Sequence, residues 1–219
     1  MRDCFFYLAD KNMKFSFEGF LTRPDFYKKL GCGPFAFDPQ QDAKVAAGDN
    51  DPGLCKRGHE LLRLYQATHH HAVVVLDAQW DGSPGKEKIA ERLYDNIIRT
   101  GWPEGSFQVI VIDPELENWI WQQHDDIARN LQFANRYELM ADPDLIAAWP
   151  TGQDKPTFPK EIFEKLLRKK QIQRSSVLYK QITSQIPVRG CRDPAFLSLV
   201  ETLQRWFPVE PEGTGGDGK

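Results

Sequence analysis

The chain has 219 residues, enough for one α/β domain with an appendage or for two small domains. Its 41% hydrophobic and 27% charged content is that of a folded globular chain, and a net charge of −3 gives no global signature of nucleic-acid binding. No apolar run approaches the roughly 18 residues of a membrane span. The opening MRDCFFYLAD is too short in apolar length and too early in charge for a secretory leader. Cys4, Cys32, Cys55 and Cys191 form no C-x-x-C pair, so neither a zinc site nor a disulfide framework is expected, and the cytoplasm is the default compartment.

Charge is divided unevenly. Residues 1–149 carry 16 Lys/Arg against 23 Asp/Glu, whereas residues 150–206 carry 11 against 5. An acidic N-terminal part therefore stands beside a basic C-terminal one. The final stretch, Pro208–Lys219, is short and rich in glycine and proline, and is expected to be disordered.

In chain order, Cys4–Ala9 (CFFYLA) reads as a buried strand that ends at Asp10-Lys11-Asn12. Residues 13–20 (MKFSFEGF) fit either a hairpin strand or the start of a helix, and Pro24–Leu30 reads as helical, stopped by Gly31 and Gly33. Residues 33–53 read as one short strand, Phe35–Phe37, followed by a long loop. The loop acids Asp38, Asp42, Asp49 and Asp51 do not match an EF-hand. Leu54–Tyr65 reads as a helix. His69-His70-His71 points in alternating directions along extended chain and is expected to be a strand entry rather than a metal site.

The centre of the chain is clearer. Ala72–Leu76 is a continuous apolar, β-branched run ending at Asp77, as a strand covered on both faces of a parallel sheet should be. Ser83-Pro84 is placed to open a helix on the stripe Ile89, Leu93, Ile97, and Gly101 to close it. Phe107–Ile112 is a second buried strand ending at Asp113. Two such strands joined by a helix run parallel, so their carboxyl ends open on one sheet edge, where ligands of open α/β sheets bind. That edge collects Asp77 and Asp81 from the first strand, and Asp113, Glu115 and Glu117 from the second. With strands about 4.8 Å apart, these acids could share one hard cation such as Mg²⁺ or Mn²⁺. Acids also cap helices, which is the ordinary reading for any one of them.

Beyond Trp121 the pattern is helical: Asp125–Leu131, Asp144–Trp149, the amphipathic Phe158–Lys170, Ser175–Ile182 and Asp193–Trp206. Lys165, Arg168, Lys169, Lys170 and Arg174 cluster at the outer face and exit of the third segment's helix. They are either macrodipole complements or a phosphate-backbone patch.

Several of these stretches resemble the Toprim domain of topoisomerases, primases and OLD-family nucleases. Asp77 stands where the first acid of that family's D-x-D falls, but Gln79 replaces the second, with Asp81 a turn further on as a substitute. The Pro114-Glu115-Leu116-Glu117-Asn118-Trp119 stretch is similar to that of small Toprim-like proteins accompanying bacterial anti-phage genes. Either Glu18, in Phe17-Glu18-Gly19, or Asp10, in the L-A-D-K-N-M stretch, fills the first-strand acid.

The resemblance implies an α/β fold: a three-layer, mostly parallel sheet with helices on both faces over residues 1–122, then a helical part over 123–207. It also implies a Mg²⁺- or Mn²⁺-dependent phosphodiesterase of a prokaryotic defence system. Asp10 or Glu18, Asp77, Asp81, Asp113 and Glu117 would hold the metal. Asp77 and Glu115 would serve catalysis, with Lys11 on the phosphate and the 165–174 cluster guiding DNA or RNA. The missing second acid also admits a degenerate subunit that binds partner defence proteins.

Overall fold

The computed structural model describes residues 1–48 and 50–210. Asp49 and most of the expected tail, residues 211–219, lie outside them.

Four strands form one parallel sheet: β1 (Arg2–Leu8), β2 (Ala43–Val45), β3 (His69–Asp77) and β4 (Phe107–Ile112), in the order β2-β1-β3-β4. β1 pairs with β3 from Arg2↔His69 to Leu8↔Val75, and β3 pairs with β4 from Ala72↔Phe107 to Asp77↔Ile112. Cys4 to Leu8 and Ala72 to Leu76 are buried without interruption, because both faces of the central strands are covered. The expected strand at Phe35–Phe37 does not form. Those rings serve as irregular-chain packing, Phe35 against Phe26 and Phe207, Phe37 against Phe6. The second strand is instead the short Ala43–Val45.

The connecting helices are α1 (Lys11–Leu21), α2 (Phe26–Leu30), α3 (Asn50–Leu62), followed by a 3₁₀ turn over Arg63–Tyr65, and α4 (Lys86–Arg99). Asp10 caps α1, its carboxylate accepting from the Met13 N–H at 2.8 Å. Residues 13–20 are thus helix, not hairpin. α4 begins two residues later than Ser83-Pro84 suggests. Ser83 Oγ instead accepts from the Gly85 N–H and donates to the Ala78 carbonyl, bracing the loop ahead of the helix. Gly101 follows the last turn at φ +95°, a left-handed conformation that glycine adopts at no steric cost.

The C-terminal part comprises α5 (Glu117–Ile120), α6 (Asp125–Asn130), α7 (Arg136–Met140), α8 (Pro143–Ala148), α9 (Pro159–Lys169), α10 (Ser176–Gln185) and α11 (Pro194–Trp206). Two of these helices are walls of the sheet domain. α10 lies against α1 and α11 against β4. The α1–α10 approach is close enough that a Cβ on Gly19 would stand 2.3 Å from the Lys180 carbonyl oxygen, so only glycine fits. Trp121, fully buried, ties the same region to α9 by donating to the Pro159 carbonyl at 2.8 Å. Among the described residues no helix is long and apolar enough to cross a membrane.

Candidate functional site: a carboxylate edge at the sheet switch point

The strand order fixes where a site can form. From β1 the chain steps outward to β2, then returns across to lay β3 on the other side of β1. The winding direction reverses between β1 and β3, and open parallel sheets bind ligands at the carboxyl ends of the strands at such a point. Asp10 follows β1 and Asp77 closes β3, one on each side of the crevice.

Asp77 is the centre of the arrangement. Its Oδ1 is buried and has no hydrogen-bond partner. Its backbone N–H donates to Asp51 Oδ1 at 2.8 Å, bringing in a carboxylate from the first turn of α3. Desolvation, then the charges of Asp51, Glu117, Asp10 and Glu115, push the Asp77 carboxyl well above the ordinary aspartate range. Burial, with Asp10 adding to it, raises Asp51 as well, and burial with Glu117 raises Glu115. Three acids at one crevice therefore resist ionisation because too little positive charge reaches them.

What positive charge there is arrives from the C-terminal helices. Glu115 Oε1 accepts from the Lys160 backbone N–H at 2.9 Å, and the Lys160 ammonium lies 3.9 Å from Oε2. Glu117 is buried. Its Oε1 accepts both from the Tyr179 hydroxyl and from Arg174 Nη2, the latter at 3.1 Å. Arg174 also donates to the Tyr179 oxygen at 3.0 Å and faces Glu164 at 3.4 Å. Burial together with the Glu117 carboxylate raises the Tyr179 phenol.

The expected site residues divide accordingly. Asp10, Asp77, Glu115 and Glu117 meet at the crevice. Asp81 is exposed in the turn after β3, and Asp113 is exposed on an open cleft that it shares with Gln79, Trp80, Lys86, Glu87 and Glu115. Lys11 is exposed at the first position of α1, next to Asp10.

Glu18 is not a first-strand acid. It lies midway along α1, buried, with Lys180 at 3.1 Å and Lys14 at 3.8 Å. Its neighbour Gly19 is there for the α10 contact.

The basic cluster is paired with acids and a ring in this fold, although Lys165 and Arg168 keep most of their surface exposed. Lys165 pairs with Asp144 at 2.9 Å, Lys169 with Asp142 at 2.7 Å, and Arg168 with Glu164 at 3.7 Å. Lys170 sits 3.8 Å from the centroid of the Phe133 ring, and Arg174 turns inward to Glu117.

Three participants escaped the sequence reading: Asp51, Lys160 and Tyr179. The only sequence signal for Asp51 was its place among the acids Asp38, Asp42, Asp49 and Asp51 ahead of the expected helix Leu54–Tyr65.

The donor chemistry suits a hard divalent cation, since all the converging groups are carboxylate oxygens and one is left unpaired. Their spacing is not that of a formed cage. Among the described residues no group of three or more His, Cys, Asp or Glu side chains stands in metal-holding array. Comparison with family models, curated proteins and solved structures gives no match.

Proposed function

We propose that the carboxylate edge is the divalent-metal site of a phosphodiesterase that acts on nucleic acid. The observation supporting this reading most directly is Asp77: a half-buried aspartate whose buried Oδ1 has no partner and whose carboxyl feels the charges of four further acids, at the switch point of a parallel sheet. Mutual repulsion among these groups is a cost that a cation would remove.

In this reading Asp77, Asp51 and Asp10 offer oxygens to Mg²⁺ or Mn²⁺. The ion supplies charge neutralisation at the phosphoryl group and lowers the pKa of water. Glu117 contributes what Arg174 and Tyr179 leave free, its Oε2, and those two residues fix its orientation. Glu115, with its raised pKa, takes the proton from the attacking water as the P–O bond to the leaving oxygen breaks. Lys160 and Lys11 stand near the edge as partners for a phosphate oxygen. Four buried free cysteines are in keeping with a reducing compartment, and cytoplasmic placement in a prokaryotic defence system belongs to the same proposal.

A second reading has its own support. Gln79 stands where a second metal acid would be, and Glu117 is half committed to Arg174 and Tyr179. Both favour a degenerate subunit that binds partner proteins rather than cutting a strand. The deciding experiment incubates the protein with single- and double-stranded DNA and RNA in Mg²⁺ or Mn²⁺. Cleavage by wild type, abolished in a folded Asp77→Ala variant, supports the phosphodiesterase. Cleavage retained in that variant removes the site assignment, and no cleavage of any substrate favours the subunit.

A further inference from the structure

The cleft that Glu115 shares with Asp113 opens to solvent between the turn after β3 and the start of α4, with a volume of about 650 Å³. That is room for a nucleotide-sized group. Gln79, Trp80, Lys86 and Glu87 stand on its other walls. It adjoins the carboxylate edge, because Glu115 belongs to both.

Trp80 stands three residues beyond Asp77 and is half-buried, packed in part on the core and left in part to the cleft. Trp102, Trp119, Trp121, Trp149 and Trp206 each donate the indole N–H to a protein acceptor. Among the described residues none accepts from Trp80. Its turn is nonetheless pinned. The Ser83 N–H donates to the Trp80 carbonyl at 3.0 Å, and Ser83 Oγ donates to the Ala78 carbonyl. The Gln79 N–H donates at 3.2 Å to the carbonyl of Pro114, the residue before Glu115. Backbone bonds therefore hold the indole beside the acid edge while part of its ring stays free, and such preorganisation lowers the cost of binding.

Charge limits what can lie there. Glu87, Asp113 and Glu115 line the cleft against the single ammonium of Lys86, so it is a poor seat for a bare anion. A neutral planar ring that carries N–H donors suits it better. Its face stacks on the indole, and its N–H groups meet carboxylate acceptors.

We propose that Trp80 is the stacking platform for an unpaired nucleobase, which makes single-stranded nucleic acid the substrate of the carboxylate edge. The inference rests on the phosphodiesterase reading: with a phosphate at the edge, an adjoining base lies in the cleft that Glu115 borders. In an intact duplex both faces of each internal base are already covered by neighbours, so a duplex offers Trp80 nothing to stack on.

The test follows, by fluorescence anisotropy in Ca²⁺, binding of the full chain to a short labelled single strand. An abasic strand of the same length and charge and a blunt duplex serve as comparisons. Trp80→Leu keeps apolar bulk against the core without an aromatic face, and Trp80→Phe keeps a face; thermal unfolding checks that both fold. Wild type should bind the single strand more tightly than the abasic strand or the duplex. Trp80→Leu should weaken single-strand binding by roughly 5- to 150-fold, leave the abasic strand unchanged, and be largely rescued by Trp80→Phe. No binding of the single strand, equal affinity for the abasic strand, tighter binding of the duplex, or wild-type affinity in folded Trp80→Leu overturns the proposal. Cleavage in Mn²⁺, read in parallel, separates the two claims. Asp77-dependent cleavage with binding indifferent to Trp80 removes the platform alone. Trp80-dependent binding without cleavage in any metal removes the phosphodiesterase and supports the platform.

Discussion

Two aspartates, Asp42 buried and Asp77 half-buried with one buried carboxylate oxygen, sit at opposite edges of the same parallel sheet and have opposite fates. Asp42, 1% exposed at the amino edge, accepts from Arg2, from the Asp38 backbone N–H at 2.6 Å and from His69 Nε2 at 3.2 Å. Burial alone would raise its pKa, but these partners outweigh it and the carboxyl is held low. Asp77, at the carboxyl edge, has an Oδ1 without a partner, and burial with the charges of Asp51, Glu117, Asp10 and Glu115 pushes its carboxyl up. The first edge is built to stay shut. The second carries an unbalanced charge that a ligand would relieve, and such perturbation concentrates at functional sites.

This contrast can be broken in several ways. Asp42→Ala should have the largest effect, because it leaves the buried His69 and the Asp38 backbone N–H without their acceptor and the partly exposed Arg2 without its counter-ion. A loss of about 3–5 kcal/mol is expected in urea unfolding. The pH sign follows from the lowered pKa. Stability from Asp42 is present above the unfolded aspartate value of about 3.9 and fades as pH falls through the lower folded value.

Tyr179→Phe comes next. It removes the hydroxyl from Glu117 while Arg174 remains, and should cost about 1.5–3 kcal/mol by the same measurement.

Asp77→Asn should act in the opposite direction. The raised pKa means that the folded state holds its proton more tightly than the unfolded chain. Asp77 therefore subtracts stability as pH rises from about 3.9 through the folded value. The asparagine variant should melt higher than wild type at neutral pH in chelator, by about 2–4 °C per kcal/mol relieved, and the gain should vanish at acid pH. A lower melting temperature at neutral pH would mean that Asp77 is satisfied after all.

The smallest effect belongs to Lys165→Ala, whose partner Asp144 and whose own ammonium are both solvent-accessible. A change of about 0–1 kcal/mol is expected.

How much of this was legible depended on whether burial or distance carried the information. β3, α4 and β4 were readable because their apolar runs are continuous and the α4 stripe of Ile89, Leu93 and Ile97 is buried as the spacing implies. β2 was not, being three residues with Lys44 at its centre, while Phe35 and Phe37 looked like a strand because core-packed coil uses the same residues. Losing β2 also hid Asp51, since the return from β2 to α3 delivers it to the edge. Glu18 was misplaced because Phe17-Glu18-Gly19 has two physical explanations, and tight α1–α10 packing is the one that applies. The cluster at 165–174 looked like one basic surface in sequence. Its neutralising acids, Asp142, Asp144, Glu164 and Glu117, come from other elements or from its own helix face, which only the fold reveals. His69, His70 and His71 did separate as expected: one bonds Asp42, one is exposed and one stacks on Trp206.

The central claim concerns one ion at one edge, and Mn²⁺ binding followed by electron paramagnetic resonance reads it directly. Loss of the free-ion signal on adding wild-type protein, restored by excess Mg²⁺ and absent with the more stable Asp77→Asn variant, is the expected result. A free Mn²⁺ signal left undiminished by wild-type protein, or diminished equally by both proteins, would contradict it.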